Sequence, residues 1–86
     1  MDGTEEVEAV KCTVLFFGKI AEDLGRKSLQ IALERGATIE TLAKRLMIAE
    51  HLSKGTKTAL NGEFCDLGTE ITDMSEVAFL PPVSGG

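Results

Sequence analysis

The end of the chain carries the residues best suited to chemistry. Gly85 and Gly86 leave the terminal carboxylate without a neighbouring side chain. A narrow slot in a partner could therefore accept the backbone, and a nucleophile could approach the carbonyl carbon unhindered. Gly86 is accordingly the candidate reacting group. The competing interpretation is a frayed, glycine-rich end without function, which is common at chain termini.

The residues before the two glycines indicate a tail with a fixed direction. Residues 77–80 form a short apolar run rich in strand formers. Pro81 and Pro82 offer no backbone N–H donors and force an extended path, so the strand must stop there. The tail of residues 81–86 can reach at most about 20 Å beyond the fold, at roughly 3.3 Å per extended residue. This favours the functional interpretation, because a frayed end has no need of a fixed direction.

The other reactive side chains are scattered along the chain. Cys12 and Cys65 have no second Cys or His at ligand spacing, so neither a zinc site nor a CxxC redox pair can form locally. Both fall in strand-like segments, and we expect buried free thiols. The single histidine, His51, is expected to be solvated near a helix end. We therefore expect no metal site.

The composition is that of one small globular domain. Among the 86 residues, 43% are hydrophobic and 27% are charged, which is not a disordered composition. The net charge of −5 disfavours nucleic acid as a partner, because phosphate binding needs a basic patch. No stretch approaches the roughly 18 apolar residues of a membrane span, and the N-terminus lacks the shape of a signal peptide. We expect a soluble, cytoplasmic protein that binds neither nucleic acid nor membrane.

The chain divides into an arm, a domain and a tail. Residues 1–9 are acidic with little to bury, which predicts a disordered arm. Residues 10–80 are predicted to form the domain, and residues 81–86 the extended tail. Within the domain, residues 10–17 and 28–33 have the patterns of strands. The stretch between them is predicted to be irregular, with room for a helical turn near residues 20–24.

A helix and three further strands are predicted after Gly36. Thr38 stands where an N-cap is expected, and the helix should run to about residue 50 or 51. Residues 56–60 and 63–66 should form a hairpin around Asn61-Gly62, because both turn residues tolerate positive φ. Ile71 is expected to be an apolar plug in the following loop, and residues 73–75 should turn the chain into the last strand. The helix is predicted to bury one stripe, formed by Ile39, Leu42, Ala43, Leu46 and Met47.

The first strand carries apolar residues on both faces. One helix covers only one face of a sheet, so a second apolar set remains, either Leu15 with Phe17 or Val14 with Phe16. The two interpretations are a loop folded over that face and a surface for a partner.

Two segments of the chain resemble the small subunit of molybdopterin synthase, a family of ubiquitin-like sulfur carriers. Residues 76–86, Glu-Val-Ala-Phe-Leu-Pro-Pro-Val-Ser-Gly-Gly, look like that family's C-terminus. Residues 14–19 and the Ala-Glu-x-Leu-Gly segment at 21–25 are similar to its first strand and following loop. The resemblance implies an α+β, ubiquitin-like β-grasp fold, with a mixed sheet of four to five strands and one main helix on one face. The first and last strands would lie in parallel at the sheet centre.

The resemblance also implies the chemistry of the tail. An E1-like adenylyltransferase and sulfurtransferase would use ATP to form a transient acyl-adenylate on Gly86, and sulfur would then replace AMP to give a thiocarboxylate. The tail would enter the large catalytic subunit of molybdopterin synthase, in a heterotetramer of two small and two large subunits, and deliver sulfur to cyclic pyranopterin monophosphate. No cofactor would be bound permanently. The carrier itself would supply reach and geometry, with the catalytic groups on the large subunit.

The resemblance assigns the remaining site residues by position. Leu80 stands where the family commonly has an aromatic residue, and it is expected to contact the partner together with Phe17. Pro81 and Pro82 would keep the tail extended. Val83 and Ser84 would line the partner's tunnel, and Gly85 would fit its slot.

Three other functions stay open. A sulfur carrier for thiazole synthesis or for tRNA thiolation would share the fold and the tail, although the proline pair is typical of the molybdopterin group. A ubiquitin-like modifier would form isopeptide bonds with lysines and leave stable conjugates. An interaction domain with an inert tail would lose nothing when Gly86 is deleted.

Overall fold

The computed structural model describes residues 8–82, and within them the chain folds into one mixed sheet of five strands with three helices. The strand order across the sheet is β2-β1-β5-β3-β4. The predicted α+β, ubiquitin-like β-grasp architecture is therefore confirmed. In chain order the elements are β1 (Ala9–Phe16), α1 (Gly18–Leu24), β2 (Ser28–Glu34), α2 (Ile39–Leu46), α3 (Ala49–Ser53), β3 (Lys57–Leu60), β4 (Glu63–Cys65) and β5 (Ser75–Leu80).

The last strand lies in the centre of the sheet, as predicted. β5 pairs in parallel with β1, from Cys12 opposite Ser75 to Phe16 opposite Phe79, and antiparallel with β3 on its other side. Val77 and Phe79 are completely buried. The rings of Phe16 and Phe79 stack with centroids 6.3 Å apart and planes 8° from parallel. Hydrogen bonds on both edges and a buried face make β5 a rigid base for the chain that follows it.

The alternating pattern of β1 decides which of its faces joins the core. Val14 and Phe16 are buried, whereas Leu15 is half-buried on the opposite face. β2 pairs antiparallel with β1 and places Leu29 opposite Val14. The second apolar set that the sequence left unassigned is therefore the one containing Leu15, because successive side chains of a strand point to opposite faces.

The start of α2 agrees with the prediction. Thr38 caps it, since its Oγ1 accepts a hydrogen bond of 3.2 Å from the backbone N–H of Thr41. Ile39, Leu42 and Ala43 are completely buried against the sheet. This stripe closes the core on the face that also holds Phe16 and Phe79.

The predicted end of this helix was wrong. α2 ends at Leu46, because Met47 adopts a left-handed conformation (φ 62°) and donates its N–H to the carbonyls of Ala43 and Lys44. Met47 was expected in the buried stripe, but it is 88% exposed. The residues expected to complete the helix form the separate α3 instead.

The segment between β1 and β2 is also more helical than predicted. It forms the two-turn α1, which begins at Gly18 and buries Ile20 in the core. The sheet face is thus covered by α2 with help from α1, so a single-helix description is incomplete. None of the three helices in the described residues is both long and apolar enough to cross a membrane.

The turns that bring β5 to the centre follow the sequence closely. Asn61 and Gly62 have positive φ and connect β3 to β4, as predicted. The side chain of Asn61 also accepts a hydrogen bond of 2.9 Å from the backbone N–H of Glu76 in β5. Ile71 is completely buried, which confirms it as an apolar plug. These contacts fix the entry into β5.

Only part of the predicted N-terminal arm falls within the described residues. Residues 1–7 lie outside them. Ala9, which the prediction placed in the arm, is the first residue of β1, opposite Glu34. Glu8 accepts a hydrogen bond of 3.0 Å from the backbone N–H of Arg35 and pairs with its guanidinium group. The folded domain therefore begins slightly earlier than residue 10.

Two substitutions of the same kind test where the core lies. Phe79 is completely buried and Phe64 is 75% exposed. Phe79→Ala should lower the free energy of unfolding by about 3–5 kcal/mol, since it removes the stacked ring and leaves a cavity. Phe64→Ala should change it by less than about 0.5 kcal/mol. Urea denaturation measures both, and similar losses in the two variants would contradict the assigned core.

Candidate functional site

The tail leaves the fold at the C-terminal end of β5. Leu80, the last residue of the strand, is half-buried and stands opposite Lys57 of β3. Pro81 and Pro82 follow directly and are exposed. The predicted site residues Val83, Ser84, Gly85 and Gly86 lie outside the described residues. The structure therefore defines the end of β5, the two prolines and the surface around them.

Each proline of the tail packs against a glycine from another part of the chain. A Cβ atom built on Gly18 would lie 3.3 Å from Cβ and 3.4 Å from Cγ of Pro81. A Cβ atom built on Gly55 would lie 3.2 Å from Cβ of Pro82. Such separations are tighter than nine in ten real Cβ contacts, so a side chain at either glycine would require the proline to shift by a few tenths of an ångström. We call this pair of contacts the proline seat, formed by Gly18 and Gly55.

The two elements that carry the proline seat also contact each other. Gly18 begins α1, and Gly55 follows α3. His51 of α3 places its Nε2 atom 3.0 Å from a carboxylate oxygen of Asp23 in α1. The prediction that His51 is simply solvated was wrong, because its side chain is only 22% exposed and is paired across the two helices.

The sequence analysis did not identify the proline seat. A glycine directly after the first strand and another shortly before β3 were the available signals, since both positions require positive φ (60° for Gly18 and 101° for Gly55). What each glycine contacts depends on the pairing of β5 with its two neighbours, and this pairing is not visible in the local sequence.

The face of the sheet opposite the helices carries a continuous apolar row. Leu15 stands beside Ala78, Ala78 beside Ala59, and Ala59 beside Phe64. The row therefore crosses four strands, from β1 through the central β5 and β3 to the edge strand β4. We call it the outer row. Phe64 at its end is 75% exposed, which is unusual for a large aromatic side chain without a partner.

The two predicted partner contacts lie beside the outer row, on the side nearer to the C-terminal end of β5. Phe17 follows β1 and is 42% exposed, and Leu80 is half-buried one pleat beyond Ala78. Ala78 and Leu80 share one face of β5, while Val77 and Phe79 share the buried one, as predicted. A single surface therefore combines the outer row, Phe17, Leu80 and the start of the tail. Ala59 within this surface is only 6% exposed. The exposed and half-buried apolar side chains around it make the face a candidate protein interface.

The cysteines lie in different surroundings. Cys12 is buried in the core, and desolvation by burial raises the pKa of its thiol above the ordinary value. Cys65 was also expected to be buried, but it is only half-buried, with its Sγ atom 3.8 Å from Oγ1 of Thr58. Among residues 8–82, no three His, Cys, Asp or Glu side chains gather closely enough to hold a metal ion.

The side chains at the tail exit determine what the site can do. Pro81, Pro82, Leu80 and Phe17 can orient a backbone and exclude water from a contact, but they cannot transfer a proton. An ionised carboxylate is a poor electrophile. Any reaction at the terminus would therefore depend on acid–base and phosphate-binding groups that a partner provides.

Comparison with protein families gives one match over most of the chain. The profile of the ThiS family matches residues 14–86. No curated protein sequence matches the chain.

Several solved structures share the fold at low sequence identity. The putative molybdopterin converting factor subunit 1 of Pyrococcus furiosus is 23% identical, with a TM-score of 0.73 over 86% of this chain and 99% of that one. Small archaeal modifier protein 1 of H. volcanii is 21% identical, with a TM-score of 0.74 over 86% and 99%. A complex of subunits 1 and 2 of the molybdopterin-converting factor of Helicobacter pylori contains a chain that is 28% identical, with a TM-score of 0.60 over 90% and 100%.

The surroundings of the two cysteines predict different reactivities. The thiolate is the form that reacts with iodoacetamide, and both burial and the raised pKa keep Cys12 in its neutral, shielded form. Alkylation of the folded protein at neutral pH should therefore be slower at Cys12 than at Cys65 by about tenfold or more. Peptide mass spectrometry after timed quenching measures both rates, with the urea-unfolded chain as the control in which they become similar. Equal rates in the folded protein would contradict the burial of Cys12.

Proposed function

Since the chain belongs to the ThiS family of ubiquitin-like sulfur carriers, we propose that it is the sulfur carrier subunit of a molybdopterin synthase. Gly86 would carry the sulfur as a C-terminal thiocarboxylate. The observation that supports this most directly is the junction of β5 with the tail. A strand at the sheet centre is followed by two prolines, and the Gly-Gly terminus comes two residues after them.

The proposed reaction begins with activation of the terminus. The Gly86 carboxylate attacks the α-phosphate of ATP on an E1-like enzyme, which forms an acyl-adenylate and releases pyrophosphate. Sulfide supplied by a sulfur donor then attacks the acyl carbon and loses its proton, and AMP leaves with the electron pair of the broken C–O bond. The product is a thiocarboxylate, which is a good sulfur nucleophile at neutral pH. We propose that this reaction takes place in the cytosol, where ATP is available.

Sulfur transfer follows in a complex with the large subunit. The thiocarboxylate sulfur forms a bond to a side-chain carbon of cyclic pyranopterin monophosphate, while a carbon–oxygen bond at that carbon breaks and the oxygen leaves with the electron pair. Water then cleaves the bond between sulfur and the acyl carbon. This hydrolysis returns Gly86 to a carboxylate. Two such transfers provide both sulfur atoms of the dithiolene. The carrier contributes positioning, which by itself can lower a barrier substantially when a reacting group is held in the correct geometry.

The outer row and its neighbours provide the surface for this partner. Phe17 and Leu80 lie beside the tail exit, so a subunit that binds them would also receive the terminus. The similar chain from Helicobacter pylori is described in a complex of subunits 1 and 2, which supports a large-subunit partner here. We propose an assembly of two small and two large subunits, with Val83 and Ser84 in the tunnel and Gly85 in the slot of the large subunit.

Protein modification is the second candidate function. The structural similarity to small archaeal modifier protein 1 favours it, although 21% identity establishes only a common fold. Both functions begin with the same adenylate, but a modifier passes its acyl group to a lysine amine and remains attached. Stable, protease-sensitive conjugates would distinguish it from a carrier. Carriers for thiazole synthesis or tRNA thiolation differ in the acceptor of the sulfur.

Removing the terminus tests whether it carries the chemistry. Deletion of Gly85 and Gly86 should abolish sulfur transfer while leaving the melting curve unchanged, because neither glycine is among the core residues that the structure describes. The measurement is the intact mass after incubation with ATP, an E1-like enzyme and a sulfur donor. The full chain should gain the mass difference between sulfur and oxygen at its C-terminal peptide, and the shortened chain should not.

Two results would contradict this proposal. One is that the mass of the full chain does not change with an enzyme that is active on another carrier. The other is that the shortened chain loses much of its stability. The first would favour an interaction domain with an inert tail, and the second would make the tail a structural element.

A pair of matched substitutions tests the partner surface. Phe17 and Met47 are both exposed apolar residues, but Met47 ends α2 on the helical side of the molecule. Phe17→Asp should weaken binding to the large subunit at least about tenfold, because it places a charge in an apolar contact. Met47→Asp should leave the affinity within about twofold, since surface changes away from an interface have small effects. Isothermal titration calorimetry measures both, and equal effects would rule out this face.

A further inference from the structure

The prolines of the tail are held from both sides of β5. Gly18 lies two residues after Phe16, and Pro81 lies two residues after Phe79, the partner of Phe16 in the parallel ladder. The contact of Pro81 with Gly18 therefore continues the register of β1 and β5 beyond the last paired residues. Proline has no N–H to extend the ladder, so close packing replaces hydrogen bonding at this position.

The same relation holds on the other side of the strand. Gly55 lies two residues before Lys57, and Pro82 lies two residues after Leu80, the partner of Lys57 in the antiparallel pair. Pro81 therefore packs against the β1 side, and Pro82 against the β3 side. Two contacts on opposite sides restrict the direction of a segment far more than one contact would.

The proline contacts distinguish these two glycines from others with positive φ. Gly25 (φ 72°) and Gly62 (φ 86°) have no atoms within 4 Å of a Cβ built on them. Backbone conformation alone explains why these two positions are occupied by glycine. Gly18 and Gly55 also have positive φ, but a proline ring lies close to the position that their side chain would occupy. Both of the additional contacts are made with the tail.

We propose that Gly18 and Gly55 are positioning residues. Because they have no side chains, Pro81 and Pro82 can pack closely against them, and this packing directs Gly86 into the partner's active site. This inference rests on the proposed function for its consequence, but the proline seat itself is a property of the chain alone. A side chain at either glycine would displace the proline by a few tenths of an ångström or more and redirect the residues that follow. Small displacements of a reacting group can reduce rates by about tenfold to a hundredfold.

The first test observes the proline seat without any partner. Wild-type protein should show NOEs between the Hα atoms of Gly55 and the Hβ atoms of Pro82, and 13C relaxation at Pro82 should match that of the folded domain. In Gly55→Ala, Pro82 should relax as a more mobile residue. In Gly62→Ala, which has a similar backbone strain but no neighbour, Pro82 should be unchanged. Absence of these NOEs in the wild type, or equal relaxation in both variants, would overturn the proposal.

The second test measures the consequence for activation of Gly86. At a temperature at which every variant is folded by circular dichroism, Gly18→Ala and Gly55→Ala should lower kcat/KM for adenylation at least about tenfold relative to Gly25→Ala and Gly62→Ala. Equal values in the four variants would overturn the positioning role. If even the wild-type chain is not adenylated, the proposed function fails, and the NMR result still decides whether the seat exists.

A double-mutant cycle separates the contact from a general loss of stability. Pro82→Gly removes the ring that Gly55→Ala would strike, so Gly55→Ala should have little further effect on adenylation in that background. Additive effects of the two substitutions would overturn the proposal. Should Gly55→Ala fail to fold, Pro82→Gly alone provides the test, because it strains no backbone. It should slow adenylation about tenfold, and wild-type rates would count against the seat.

Discussion

The pairing of β5 with β1 is the interaction on which the rest of this structure depends. It joins two segments separated by most of the chain, and it is stabilised by a parallel ladder and by the stacked rings of Phe16 and Phe79. A parallel pair cannot be closed by a short turn, so the intervening helices and strands form the connection. As a result, the final strand lies inside the sheet, where both of its edges are hydrogen-bonded. A tail that extends from an edge strand would have no comparable support.

This arrangement separates the function of the chain from its stability. The core lies between α2 and the buried face of the sheet and includes Val77 and Phe79, whereas the proposed reacting residue, Gly86, is not among the described core residues. Under the proposed function, chemistry at Gly86 would therefore not need to involve the core. In a domain of this size, which has little room for an internal cleft, reactivity at an extended terminus is a direct solution. Under the proposed function, the catalytic groups would belong to the partner proteins.

The two faces of the sheet have different roles for the same physical reason. Side chains alternate along a strand, so a central strand rich in apolar residues supplies both a core face and an outer face. The helices cover the first. On the outer face Leu15 and Ala78 are half-buried, Ala59 is buried and Phe64 is exposed. Phe17 and Leu80 lie on the side of this row nearer to the end of β5, so a partner that bound this face would also meet the tail prolines.

The local sequence predicted much of this structure. Alternation identified β1 and β2, Thr38 marked the start of α2, and Asn61-Gly62 marked the hairpin, because each depends on neighbouring residues only. Resemblance to a known family supplied the central position of the last strand. The end of α2 was missed, since periodicity continued through Met47 while the backbone turned left-handed there.

What the sequence determined by itself was the set of strands, the capped helix, and a stiff tail that ends in Gly-Gly. What only the tertiary structure decided was which face of β1 enters the core, that His51 pairs with Asp23, and that the tail prolines pack on Gly18 and Gly55. These contacts join residues that are distant in the chain, and they depend on how the strands and helices pack together. Alternation along one strand gives two possible faces but contains no information about what the next strand or helix will cover.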